Sequence, residues 1–149
     1  MCVFVIVMSF LVLTGCGGGG GGGVAKDIGI GTIGPEGGTV STQGGGAQLA
    51  IPANALATSA DITIETSDST PPSRALQGTT YDFDSSAAFG KAVQAKIRYA
   101  KETLPDGAVE SSLRMYRKNG DAWEGVVGVV DTTNRTVSAS MNSLGTLSI

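Results

Sequence analysis

From Val24 to Ile149 no stretch of this chain keeps apolar residues at a sustained helical spacing. The chain is divided instead into short runs in which apolar and polar residues alternate, each bounded by glycine, proline, asparagine or hydroxyl-rich segments. Alternation with period 2 sends every second side chain to one face of a strand, so each run can bury one face and leave the other in water. Roughly nine such runs, with turn signals about every 8–12 residues, predict an all-β fold and a single β-sandwich.

The stretch from Gly34 to Leu56 organises the rest. Gly37-Gly38 and Gly44-Gly45-Gly46 mark reversals, and between them Thr39-Val40-Ser41-Thr42 is β-prone. Gln48-Leu49-Ala50-Ile51 is a second strand, closed by Pro52, which cannot donate to a ladder. Pro52 to Leu56 reads as one helical turn. Upstream, over Val24 to Ile33, Ile28, Ile30 and Ile33 alternate with small residues, as in a first edge strand. Downstream, Asp61 to Thr66, Tyr81 to Asp84, Phe89 to Tyr99 and Ser112 to Arg117 alternate in turn. Asn119-Gly120 predicts a hairpin, and a second hairpin turns at Thr132 to Arg135. The expected core is Val40, Leu49, Ile51, Ile62, Ile64, Phe83, Val93, Ile97, Leu113, Met115, Val137 and Leu147, with Trp123 as its single large anchor.

The composition excludes several function classes. A net charge of −3 leaves no electrostatic case for nucleic acid. There is no histidine, so the commonest general base and metal ligand is missing. Both cysteines, Cys2 and Cys16, lie in the first segment, leaving the body without disulfide or thiol chemistry. No nucleophile motif is recognisable, no cofactor or metal is implied, and the chain reads as a non-enzyme.

The first segment reads as an address. Val3 to Leu13 is nearly all apolar, the length of a signal-peptide core and short for a membrane span. Leu13-Thr14-Gly15-Cys16 follows and resembles a bacterial lipobox. That resemblance implies a signal peptide over residues 1–15, cleavage before Cys16, and acyl chains on Cys16. It also implies a place in the bacterial cell envelope; Gly17 is not the aspartate that retains such proteins at an inner membrane, which favours an outer membrane where one exists. Two or three acyl chains anchor stably where one is marginal. Residues 16–25 then form a linker containing seven consecutive glycines, a composition that predicts a coil holding the domain roughly 15 Å from the membrane. The body is residues 26–149.

The body also carries a resemblance. Gly34-Pro35-Glu36-Gly37-Gly38-Thr39-Val40, Leu49 through Leu56, and Ile62-Thr63-Ile64 resemble the ZU5 domain, with Asn54 where glycine is more usual. Phe89-Gly90-Lys91-Ala92-Val93, Leu113 to Tyr116 and Trp123 are similar to later strands of bacterial members. The resemblance implies a β-sandwich used in protein–protein contacts. Some relatives cleave themselves at a His-Phe-Ser site; the matching residues here are Ser143-Leu144-Gly145, which lack both base and nucleophile, so self-cleavage is not expected.

Two surface groups remain as candidate binding residues. Lys91, Lys96, Arg98 and Lys101 form an expected basic patch, suited to acidic polysaccharide or lipid head groups. Asp82 and Asp84 share a strand face, the arrangement calcium ligation or a glycosidase carboxylate pair would start from. The expected partners are the membrane, through the lipid anchor, and an envelope protein or glycan.

Overall fold

A computed structural model describes residues 25–149. The signal segment, the lipobox residues Leu13, Thr14 and Gly15, Cys16 and the glycine tract lie outside the described residues.

Eleven strands follow one another: β1 (Ile28–Ile33), β2 (Gly38–Ser41), β3 (Ala47–Ile51), β4 (Ala60–Thr66), β5 (Tyr81–Ser85), β6 (Val93–Arg98), β7 (Met115–Asn119), β8 (Ala122–Val126), β9 (Gly128–Asp131), β10 (Thr136–Met141) and β11 (Gly145–Ser148). They form two antiparallel sheets, ordered β1-β4-β5-β11-β7-β8 and β2-β3-β6-β10-β9. The fold is therefore a β-sandwich. The only helical pieces among the described residues are two short 3-10 turns at Lys101–Thr103 and Glu110–Ser112.

The core lies between the sheets, where the alternation predicts it. Leu49, Ile62, Ile64, Ile97, Met115, Val137 and Leu147 are fully buried, and Val40, Ile51, Phe83 and Val93 nearly so. Tyr99 on the β6 margin and Ile149 after β11 extend this layer. Leu113 packs against it while half-buried.

The first strand lies at a sheet edge and turns its small residues inward. Gly29 is buried and Ile30 is 74% exposed, so the glycines, with Ile33, face inward. At this margin the two sheets come together through their main chains. The Gln43 amide donates to the Ile28 carbonyl at 3.0 Å. A Cβ on Gly29 would fall 2.6 Å from the Ser41 carbonyl carbon and 2.8 Å from the Thr42 nitrogen. No side chain fits there, and glycine allows the approach.

Two local readings change. Pro52 to Leu56 is a turn without helix, in which Asn54 takes the left-handed conformation at φ 61° and donates its amide to Pro35 O at 2.7 Å. In the β7–β8 hairpin Asn119 pairs with Ala122, so the two turn residues are Gly120 and Asp121, with Gly120 at φ 61°. Glycine first is the preference of a type II′ turn.

Trp123 is not the core anchor. The register sets it opposite Lys118, on the face of the sheet turned away from Met115. It is half-buried there, and its indole N–H donates to Thr70 O at 3.1 Å. Lys118 Nζ reaches Ser69 Oγ at 3.4 Å on the same face. Together they hold the segment between β4 and β5 against the outside of the sheet. Thr80 and Ser148 lie on this outer face, yet they are 8% and 0% exposed and share a hydroxyl hydrogen bond of 3.0 Å.

Trp123→Ala is accordingly expected to cost about 1 kcal/mol, the size of one lost hydrogen bond, and not the 3–5 kcal/mol of an emptied tryptophan core site. Hydrogen exchange should quicken in residues 67–76 while β3, β6 and β10 stay protected. A global loss of protection would return Trp123 to the core.

Candidate functional site

The residues expected to form one binding patch are distributed over separate places. Lys96 and Arg98 point outward from β6, because Val93, Ala95 and Ile97 take the inward positions. Lys91 precedes β6 and donates to Ala53 O at 2.9 Å, which ties it to the turn after β3. Lys101 follows β6 and faces Glu110 at 3.8 Å. The four cations therefore do not act as one free patch, because Lys91 and Lys101 are engaged by Ala53 and Glu110.

Asp82 and Asp84 do share a face, but on the other sheet. Asp82 accepts from Thr146 Oγ1 at 2.6 Å, and Asp84 accepts from the Ser85 amide at 2.8 Å. Among the described residues there is no group of three or more acidic or cysteine side chains placed to hold a metal ion. Ser143, at the position of the cleavage motif, accepts from Arg117 Nη1 at 2.8 Å.

Around Lys96 and Arg98 the fold builds a concave polar surface. Lys96 pairs across the sheet with Gln48 of β3 and Ser138 of β10, and Arg98 pairs with Thr136. The Arg98 amide donates to Gly46 O at 2.8 Å, which draws the β2–β3 turn against the end of β6. A depression of about 320 Å³ results, lined by Ser41, Gln48, Lys96, Arg98, Asn134 and Thr136. A second, of about 380 Å³, adjoins it and shares Gly46 and Arg98, adding Tyr81, Tyr99 and Arg135.

Arg135 and Asn134 come from the β9–β10 turn. Asp131 organises it, accepting from the amides of Thr133 and Asn134 at 3.0 and 2.9 Å and from the Asn134 side chain at 2.7 Å. The Asn134 side chain and amide, with Lys96 nearby, hold the Asp131 carboxyl below its ordinary pKa. Arg135 sits in the left-handed region at φ 55°, and its carbonyl accepts from the Tyr99 amide at 3.0 Å.

Asp27 anchors the opposite wall. Its carboxylate accepts from Thr42 Oγ1 at 2.6 Å, the Gly44 amide at 2.6 Å, the Gly46 amide at 3.3 Å and Tyr81 Oη at 3.5 Å. Burial pushes the Asp27 pKa up, but the bonds from Thr42, Gly44, Gly46 and Tyr81 together outweigh it and leave the pKa lowered. The Tyr81 phenol moves the other way, raised by burial and by the charge of Asp27.

Sequence reasoning found Lys96 and Arg98 and missed Asp27, Asn134 and Arg135. The turn over Thr132 to Arg135 was legible as a turn. Nothing in its pattern tells that Arg135 would stand beside Arg98, because strands β7 to β9 separate the two in the chain and only the β6–β10 pairing joins them.

No protein-family model matches this chain, and no curated protein matches it.

Proposed function

We propose that this chain is a lipid-anchored protein of the bacterial cell envelope whose ZU5-like β-sandwich is a non-catalytic binding module. What supports the anchor is the lipobox Leu13-Thr14-Gly15-Cys16, placed directly after an apolar run and before seven glycines. The glycine tract joins a body whose first described residues are tied in firmly: Lys26 pairs with Asp68 at 3.0 Å, and Asp27 with the β2–β3 turn. That arrangement suits a domain presented to partners on a tether.

The observation that carries the binding role in protein contacts is the corner where β8 passes into β9. Val127 and Val129 are 93% and 69% exposed there, beside a sheet edge. An edge strand offers unpaired main-chain groups to a partner's strand, and apolar side chains add contact area. A second reading, glycan binding, is favoured by the paired depressions around Arg98, whose lining of hydroxyl, amide and cationic groups matches sugar hydroxyls and acidic substituents.

The intact mass of the protein extracted from membranes tests the anchor. The expected species begins at Cys16, carries added acyl groups and is uncleaved near Ser143; Cys16→Ser should release the chain from the membrane fraction. A soluble, unacylated chain would remove the lipoprotein reading, and a break near Ser143 would reopen catalysis.

A further inference from the structure

The cations around the two depressions, Lys96, Arg98 and Arg135, form no ion pair with a neighbouring carboxylate. Three carboxylates border the region. Asp27 is engaged by Thr42, Gly44 and Gly46. Asp131 is engaged by its own turn, through Thr133 and Asn134. Glu110 is shared between Lys101 at 3.8 Å and the Tyr99 hydroxyl at 3.1 Å. The ion pairs among the described residues belong to Lys26 and Lys101, and none includes Lys96, Arg98 or Arg135. Arg98 lines both depressions, Lys96 the first and Arg135 the second.

Arg135 adds a second line of argument. A non-glycine residue at φ 55° is in a conformation that glycine or asparagine adopts more readily. Backbone strain of this kind persists where the surroundings impose it and is concentrated at binding sites. Here Asp131 closes the turn from one side and the Tyr99 amide holds the Arg135 carbonyl from the other. Arg135 thereby joins Arg98 in lining one depression.

We propose that the Arg98–Arg135 depression, with Lys96 and its neutral rim, binds a carboxylated sugar unit within an acidic polysaccharide. This rests on the glycan-binding reading above. Guanidinium groups recognise carboxylate by paired charge-assisted hydrogen bonds. The neutral groups alongside, Ser41, Gln48, Asn134 and Thr136, offer donors and acceptors for ring hydroxyls. The two depressions adjoin through Gly46 and Arg98, which gives room for more than one sugar unit. The net charge of −3 disfavours long-range attraction to any polyanion, so recognition has to be local. An acidic peptide would be expected to seek an apolar anchor pocket as well, and the lining named here is polar and cationic.

The test uses the purified full chain, in detergent where it partitions with membranes, titrated with oligogalacturonate and followed by amide chemical shifts and calorimetry. Methyl-esterified oligogalacturonate has the same rings without the charge and serves as the control. The expected result is binding of the acid form, shifts centred on Gly46, Arg98 and Arg135, and at least about tenfold weaker binding of the ester, in line with loss of a bidentate charged contact. Arg135→Asn keeps a residue that tolerates the left-handed conformation, so it should melt no lower than the parent while losing about tenfold in affinity. Arg98→Gln should lose a similar factor.

Equal binding of acid and ester forms, or parental affinity in both variants, would overturn this site while leaving a glycan-binding module in place. Absence of any oligogalacturonate binding would overturn the proposal. Stronger binding to phosphatidylglycerol vesicles or to polyglutamate than to oligogalacturonate would also overturn it. The mass measurement on Cys16 judges the anchor independently of all these outcomes.

Discussion

Replacing Gly29 with alanine is expected to lower the melting temperature by about 10 °C, corresponding to about 3 kcal/mol. The added methyl would meet main-chain atoms of Ser41 and Thr42, which cannot turn aside as a side chain can. To make room, β1 has to move off β2, weakening the Gln43 to Ile28 bond and the contacts of the sheet margin. Gly31→Ala is the matched comparison. Its methyl would meet Val40 Cγ2 at 3.0 Å, a methyl that can shift slightly. The Gly31 variant should lose less than about 1 kcal/mol, since part of the strain is offset by a less flexible unfolded chain. Thermal melts followed by far-ultraviolet circular dichroism decide this. If both variants melt within about 2 °C of the parent, well below the shift expected for such overpacking, the close main-chain approach is not what orders this margin.

The second large effect is expected at Asp27. Asp27→Ala removes one carboxylate but leaves the Gly44 and Gly46 amides and the Thr42 hydroxyl without their acceptor. Hydrogen bonds to a charged group are worth about 1.5–3 kcal/mol each when sheltered. Because this site is only partly buried, water can replace some of them, and a total loss of about 2 kcal/mol is expected at neutral pH. The pH dependence has a definite sign. The folded-state pKa of Asp27 lies below the ordinary 3.8, so its contribution is present above that value and is lost as pH falls through the folded pKa. The gap in stability between parent and Asp27→Ala should therefore be widest at neutral pH and narrow steadily below about pH 4. Urea melts at a series of pH values measure it. A gap of the same size at neutral pH and in strong acid would mean that Asp27 acts by shape alone and not by charge.

These two positions also mark where pattern reading stops. By itself, the sequence determined the all-β class, the placing of most strands and most of the core. Alternation is a local property: Leu49 and Ile51, Ile62 and Ile64, or Val93, Ala95 and Ile97 must share a face whatever the rest of the chain does. It likewise determined that Lys96 and Arg98 face away from that core.

Tertiary structure alone decided which face of a weakly patterned strand turns inward. In β1 isoleucine is the more apolar residue, yet at Gly29 the main chain of Ser41 and Thr42 leaves no room for a side chain, so steric room overrides hydropathy there. In β8 the short run around Trp123 is assigned its face by pairing with β7, and the indole closes over a loop instead of entering the core. The grouping of Arg98 with Arg135, and of Asp27 with Gly44 and Tyr81, depends on pairings between residues far apart in the chain. Such neighbours are set by sheet order and register, which cooperative packing of the whole sandwich selects and no local spacing encodes.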